Sequence, residues 1–210
     1  SGSIPSQIGN LQNLLSLELY DNVLSGTIPS SIFDLRLMAT LDLSKNNITG
    51  LLSPNISNLE SLGTLNLQKN SFMGGVPSFA SLSKLDFIYL DYNQFSGSFA
   101  DSFDTTFVGR QEITLSHNNI SGSIPGLESL NISAFANVAF KIQRIDISYN
   151  QMTGTIPSTL SLLPSLRYVD VSGNSFGGPV PAQESGSSGF LLLEHIGIAG
   201  NNFVGHIPLG

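Results

Sequence analysis

The chain is 210 residues long, carries a net charge of −7 at pH 7, and has only 11% charged residues, against about 25% in an average soluble protein. It contains no cysteine, which excludes disulfides, thiolate zinc sites and cysteine nucleophiles. Eight Lys plus Arg scattered singly form no basic stripe for nucleic acid, and no run approaches the roughly 18 apolar residues that span a bilayer. The first residues lack the charged-then-apolar layout of a signal peptide. This segment therefore reads as soluble, with no direct membrane insertion of its own.

Ser1-Gly2-Ser3-Ile4-Pro5 matches the tail of a unit that is complete at Leu17-Glu18-Leu19-Tyr20-Asp21-Asn22-Val23-Leu24-Ser25-Gly26-Thr27-Ile28-Pro29 and recurs to the end of the chain. Aligned on its asparagine, the unit stands at Asn22, Asn46, Asn70, Asn93, Asn118, Asn150, Asn174 and Asn201, in steps of 24, 24, 23, 25, 32, 24 and 27. A period in that range is the mark of a solenoid, in which each coil packs on its neighbours. Such a protein grows by adding coils, so residues 1–210 are expected to be one domain of about eight full coils, with a partial repeat at 1–5.

Within each coil an apolar pair alternates with polar neighbours: Leu17/Leu19, Leu41/Leu43, Leu65/Leu67, Ile88/Leu90, Ile113/Leu115, Ile145/Ile147, Val169/Val171 and Ile196/Ile198. Period two predicts a short strand with one buried face. One strand per coil predicts a parallel sheet ~34 Å long at ~4.8 Å per step. Upstream, apolar residues recur every third position, as in Ile8, Leu11, Leu14 and Ile32, Leu35, Met38, which suits 3-10 turns on the outer, convex side.

The eight asparagines stand where the chain turns out of the strand and leaves buried backbone groups without sheet partners. An amide both donates and accepts there, so the reading is structural. Glycines 26, 50, 74, 97, 122, 154, 178 and 205 follow four residues later and are expected at positive φ. Three further on stand Pro29, Pro77, Pro125, Pro157, Pro181 and Pro208, with Ser53 and Ala100 breaking the rule. The coil from Phe99 to Arg110 fits least well, because Arg110 occupies an apolar slot. Extra residues fall near 127–141 and 182–189 and must bulge outward.

The pattern Leu-x-x-Leu-x-x-Leu-x-Leu-x-x-Asn-x-Leu-x-Gly-x-Ile-Pro resembles the plant-type leucine-rich repeat over the whole chain. The resemblance implies an α/β solenoid, a right-handed superhelix with a parallel concave sheet, a 3-10 or short helical convex side, and a second short sheet at the Gly-x-Ile-Pro portion. It also implies an extracellular or cell-surface address, since such arrays form ectodomains of receptor kinases, receptor-like proteins and inhibitors of pectin-degrading enzymes. Neither end carries the distinct cap of a terminal repeat, so the chain is expected to be an internal piece of a longer protein.

Residues flanking the apolar pairs face out of the concave sheet in register. From the fourth coil to the seventh they bring Phe87, Tyr89, Tyr92, His117, Arg144, Tyr149 and Tyr168 onto one patch, of residue types enriched at recognition hot spots. Asp146 and Asp170 fall on adjacent strands ~5 Å apart, the separation of a retaining glycosidase pair. Arg144 and Arg167 stand close enough to neutralise them, and an open sheet does not exclude water, so no catalytic residue is assigned. His117, His195 and His206 lie on separate coils, and neither a metal site nor a cofactor is expected. Sequons begin at Asn47, Asn55, Asn119 and Asn131, a number that the Asn, Ser and Thr content gives by chance; each is a candidate glycosylation site in a secretory protein.

The expected function is therefore non-enzymatic recognition of a protein or peptide ligand on the concave face. Two alternatives stand beside it: a structural or adhesion subunit of a larger assembly, and an ice- or carbohydrate-binding surface made of in-register Asn, Ser and Thr.

Overall fold

A computed structural model describes residues 2–103, 105–126, 140–180 and 192–205. One strand per coil, Ser16–Glu18, Thr40–Asp42, Thr64–Asn66, Phe87–Tyr89, Glu112–Thr114, Arg144–Asp146, Tyr168–Asp170 and His195–Gly197, pairs in sequence order into an eight-stranded parallel sheet. The register aligns Leu17, Leu41, Leu65, Ile88, Ile113, Ile145, Val169 and Ile196 in one row. Each strand ends one residue before the second apolar partner, which still bonds its neighbour: the N–H of Leu43 donates to the Asn66 carbonyl at 2.9 Å.

Past that point the chain turns sharply. Asp21, Lys45, Lys69, Tyr92, His117 and Tyr149 hold φ of 53 to 57°, a left-handed conformation that few non-glycine residues adopt, and Gly173 and Gly200 fill the same slot at 65°. The next residue is the asparagine, whose amide closes the turn. Asn118 donates to the carbonyls of Leu90, Leu115 and Ser116 at 3.0, 3.0 and 3.2 Å, and accepts from Phe95 N–H at 2.9 Å. Asn46, Asn70, Asn93, Asn150 and Asn174 repeat this pattern. Each amide reaches into the preceding coil, so the ladder binds coils together as well as closing turns.

Beyond the ladder runs a second parallel sheet, six-stranded over Ser25–Gly26, Asn47–Leu51, Ser71–Gly75, Gln94–Ser98, Asn119–Gly122 and Gln151–Met152, with Gly177–Gly178 and Asn202–Phe203 pairing separately. The eight glycines expected at positive φ have values of 74 to 93°. Behind this sheet Phe72 and Phe95 stack at 5.9 Å within the core. The outer side carries 3-10 turns at Ser6–Asn10, Ser30–Asp34, Pro54–Asn58, Thr105–Gly109 and Ser158–Leu162. Ser53, in the proline slot, keeps the extended conformation of Pro29 (φ −65° against −67°), helped by its hydroxyl accepting from Asn55 N–H and by Pro54. Ala100 instead lies in a short helix, Phe99–Ser102.

The coil holding Phe79, Leu82 and Leu85 is the shortest, at 23 residues between asparagines, and forms turns in place of a 3-10 helix. Arg110 explains itself against that coil. Its buried guanidinium donates to the carbonyls of Phe79 at 2.8 Å, Leu85 at 2.7 Å and Leu82, so a fork of donors replaces the expected apolar plug. Of the two expected insertions, only Phe140 and Lys141 fall among the described residues.

Candidate ligand-binding face

The concave sheet presents four rows beside its apolar pairs. The middle row, Glu18, Asp42, Asn66, Tyr89, Thr114, Asp146, Asp170 and Gly197, is aligned by the strand register. Its acidic and amide members have a local task. Asp42, Asn66, Asp146 and Asp170 accept from the backbone N–H two residues on, at Ser44, Gln68, Ser148 and Ser172, at 2.9 to 3.3 Å. This Asx turn ends the strand and accounts for Asp at this slot without catalysis. Thr114 has no acceptor of that reach. Asp91 of the preceding coil substitutes, taking Ser116 N–H and Oγ at 2.8 Å each and the Thr114 hydroxyl.

The seven residues expected on one patch divide between two aromatic rails with a polar floor between them. One rail is set by the left-handed slot: Tyr92 stacks on His117 at 4.2 Å, His117 on Tyr149 at 4.4 Å, and Lys69 Nζ lies 5.6 Å from the Tyr92 ring. The other rail lies at the strand starts. The Arg144 guanidinium sits 3.5 Å from the Tyr168 ring centre, Tyr168 stacks on His195 at 4.2 Å, and Phe87 packs beside Tyr89 at 6.4 Å. Asp91, Thr114, Ser116, Asp146 and Ser148 form the buried floor. The split follows from geometry: Arg144 opens its strand, which ends at Asp146, and Tyr149 stands five positions further on, past the strand end and in the left-handed turn.

Charges within the trough are mostly paired. Arg144 bridges Asp146 at 3.0 Å, and His195 Nε2 lies 3.6 Å from Asp170. Arg167, expected to help neutralise the aspartate pair, is turned instead to Glu194 at 2.6 Å. Tyr89 donates to Glu112 Oε2 at 3.0 Å; burial and the Glu112 charge push its hydroxyl pKa up, so it stays a donor. Burial, with Asp146 and Asp170 nearby, also raises Tyr168, against the Arg144 charge. Burial raises the Asp91 carboxyl, opposed by its bonds from Thr114 and Ser116.

Sequence reasoning placed the row partners correctly but missed His195 and Lys69 as rail members. The stacking of His195 on Tyr168 was available in principle, since they share a row. Among the described residues no group of three or more His, Cys, Asp or Glu is placed to hold a metal, and no helix is long and apolar enough to cross a membrane. Asn47, Asn55 and Asn119 are exposed, on the second sheet and a convex turn, whereas Asn131 lies outside the described residues.

A strand, a left-handed turn and an asparagine in every coil, with convex 3-10 turns at five of them, define a leucine-rich-repeat solenoid similar to the plant type. The Leucine Rich Repeat family model matches residues 13–35, 38–59 and 141–163. Receptor-like protein 39 of Arabidopsis thaliana is 32% identical over 143 residues, covering 66% of this chain and 15% of that protein. The ectodomain of the Arabidopsis receptor kinase HAESA, solved with an extended IDA peptide hormone ligand, is 29% identical with a TM-score of 0.82, over 96% of this chain and 32% of that one. The PEPR1–AtPEP1 structure is 32% identical with a TM-score of 0.74, over 86% of this chain and 24% of the other. The chain thus spans about a third or less of the length of these relatives.

Proposed function

We propose that this chain is a non-catalytic recognition module of a receptor-like protein, exposed at the cell surface or outside the cell, that binds an extended peptide along the concave trough. The observation that carries this reading is the trough itself: two aromatic rails flank a buried, hydrogen-bonded floor on a rigid sheet. Tyr92 and Tyr149 are 48% and 55% exposed although held by stacking, so they offer rigid contact area at little further entropic cost. The similarity to an ectodomain solved with a peptide hormone supports the class of ligand.

Peptides selected from a randomised display library against the chain test this. The triple variant Tyr89→Ala, Tyr92→Ala, Tyr149→Ala should weaken the selected peptides by at least about thirtyfold, the order of one ~2 kcal/mol hot spot. Undiminished affinity would move the interface off the concave face. The ice-binding alternative gains nothing from the second sheet, where exposed Leu51 and Met73 sit side by side in the pairing register and break the hydroxyl rows.

A further inference from the structure

Between the rails, Gln68, Lys69, Tyr89, Asp91, Tyr92 and Arg144 help line a shallow cavity of about 420 Å3, floored by Thr114, Ser116 and Asp146. Its ionised groups are unequally provided for. Asp146 has Arg144 at 3.0 Å, and Lys69 is drawn over Tyr92. Asp91, only 7% exposed, receives bonds among the described residues from neutral donors alone: the Thr114 hydroxyl and the Ser116 hydroxyl and N–H. Two of these fall on Oδ1 and one on Oδ2, so Oδ2 keeps a lone pair.

A buried carboxylate without a cation is costly, and a cation brought by a ligand repays that cost in a medium where charges attract strongly. The walls suit the same partner. With His117 stacked on Tyr92 and Lys69 over it, what the Tyr89 and Tyr92 walls offer is apolar ring surface for the aliphatic stem of a long basic side chain. Glu112, bonded to Tyr89, adds negative charge at the rim and disfavours an anion.

Resting on the peptide-binding reading above, we propose that the trough selects peptides carrying a basic residue, lysine or arginine, whose cation seats on Asp91 between Tyr89 and Tyr92. Asp91 is then the specificity-determining residue of the site, and the rails supply general affinity.

The test uses peptides selected from the randomised library and retained only if Tyr92→Ala with Tyr149→Ala abolishes their binding. These peptides should share one Lys or Arg. Replacing that residue by norleucine should weaken binding to the wild-type chain about tenfold, equivalent to 1.4 kcal/mol. Asp91→Asn, which keeps the acceptor for Ser116 N–H, should weaken the parent peptide equally and the norleucine peptide no further. Concave-face peptides that lack a common basic residue, or that bind the norleucine form or Asp91→Asn undiminished, would overturn the proposal and leave the peptide reading standing. A library yielding no peptide sensitive to the tyrosine changes would overturn both. Should Asp91→Asn fail to fold, as judged by circular dichroism and melting, the norleucine series on the wild-type chain decides alone.

Discussion

The Tyr149 ring lies against Gly173 so closely that a Cβ on the glycine would fall 2.7 Å from Tyr149 Cδ1. Gly173 also holds φ of 65°, so it serves twice: it takes the left-handed turn of its coil and leaves room for the last ring of the Tyr92, His117, Tyr149 stack. Gly173→Ala adds both backbone strain and a clash, and should lower stability by about 1–3 kcal/mol. Urea unfolding measures the loss, and a matching drop in peptide affinity would show that the rail had moved.

Asparagine positions differ in how much they close. Asn118 is buried and makes four bonds across two coils, whereas Asn22 is exposed and, among the described residues, donates to the Leu19 and Tyr20 carbonyls of its own coil. Removing a buried partner costs about 1–3 kcal/mol per group left unsatisfied. Asn118→Ala is therefore expected to lose at least about 3 kcal/mol, and Asn22→Ala less than about 1 kcal/mol. Equal losses in denaturant titrations would contradict the ladder's cross-coil role.

Asp91 makes stability depend on pH in an unusual direction for a carboxylate. Burial raises its folded pKa, so the native state binds its proton more tightly than the unfolded chain does. The stabilisation is full below the ordinary carboxylate pKa and is lost as pH rises through the raised folded value. Asp91→Asn removes this dependence. The melting temperature of the wild-type chain relative to this variant should therefore be highest in acid and fall toward neutral pH; a rising difference would refute the sign.

The described sequon asparagines stand clear of the concave trough: Asn47 and Asn119 open strands of the second sheet, and Asn55 lies on a convex 3-10 turn. Expression through a secretory route should add glycans at these sites, each lost as a mass step in Asn47→Gln, Asn55→Gln or Asn119→Gln. Peptide affinity should be unchanged by all three. Weakened binding in any of them would place the interface on the second sheet or the convex side.

Much of this could be read from residue order because a solenoid converts sequence period into space. Leu17, Leu41 and Leu65 share a row since each coil lies on the last, and the same rule aligns Arg144, Tyr168 and His195. Arg110 was legible only as an exception. Its guanidinium answers the carbonyls of a coil one residue short, and that shortage matters only once the neighbouring turns are placed.

Sequence alone determined the coil, the strand in each coil, the asparagine ladder and the list of side chains facing the concave side, because these follow from short-range periodicity. Tertiary structure decided how those side chains associate. The left-handed turn throws Tyr92, His117 and Tyr149 into a rail of their own, away from Arg144 and Tyr168, and a missing Asx acceptor at Thr114 draws Asp91 across to Ser116. Such choices depend on backbone dihedrals and on contacts between coils, which no repeat pattern specifies.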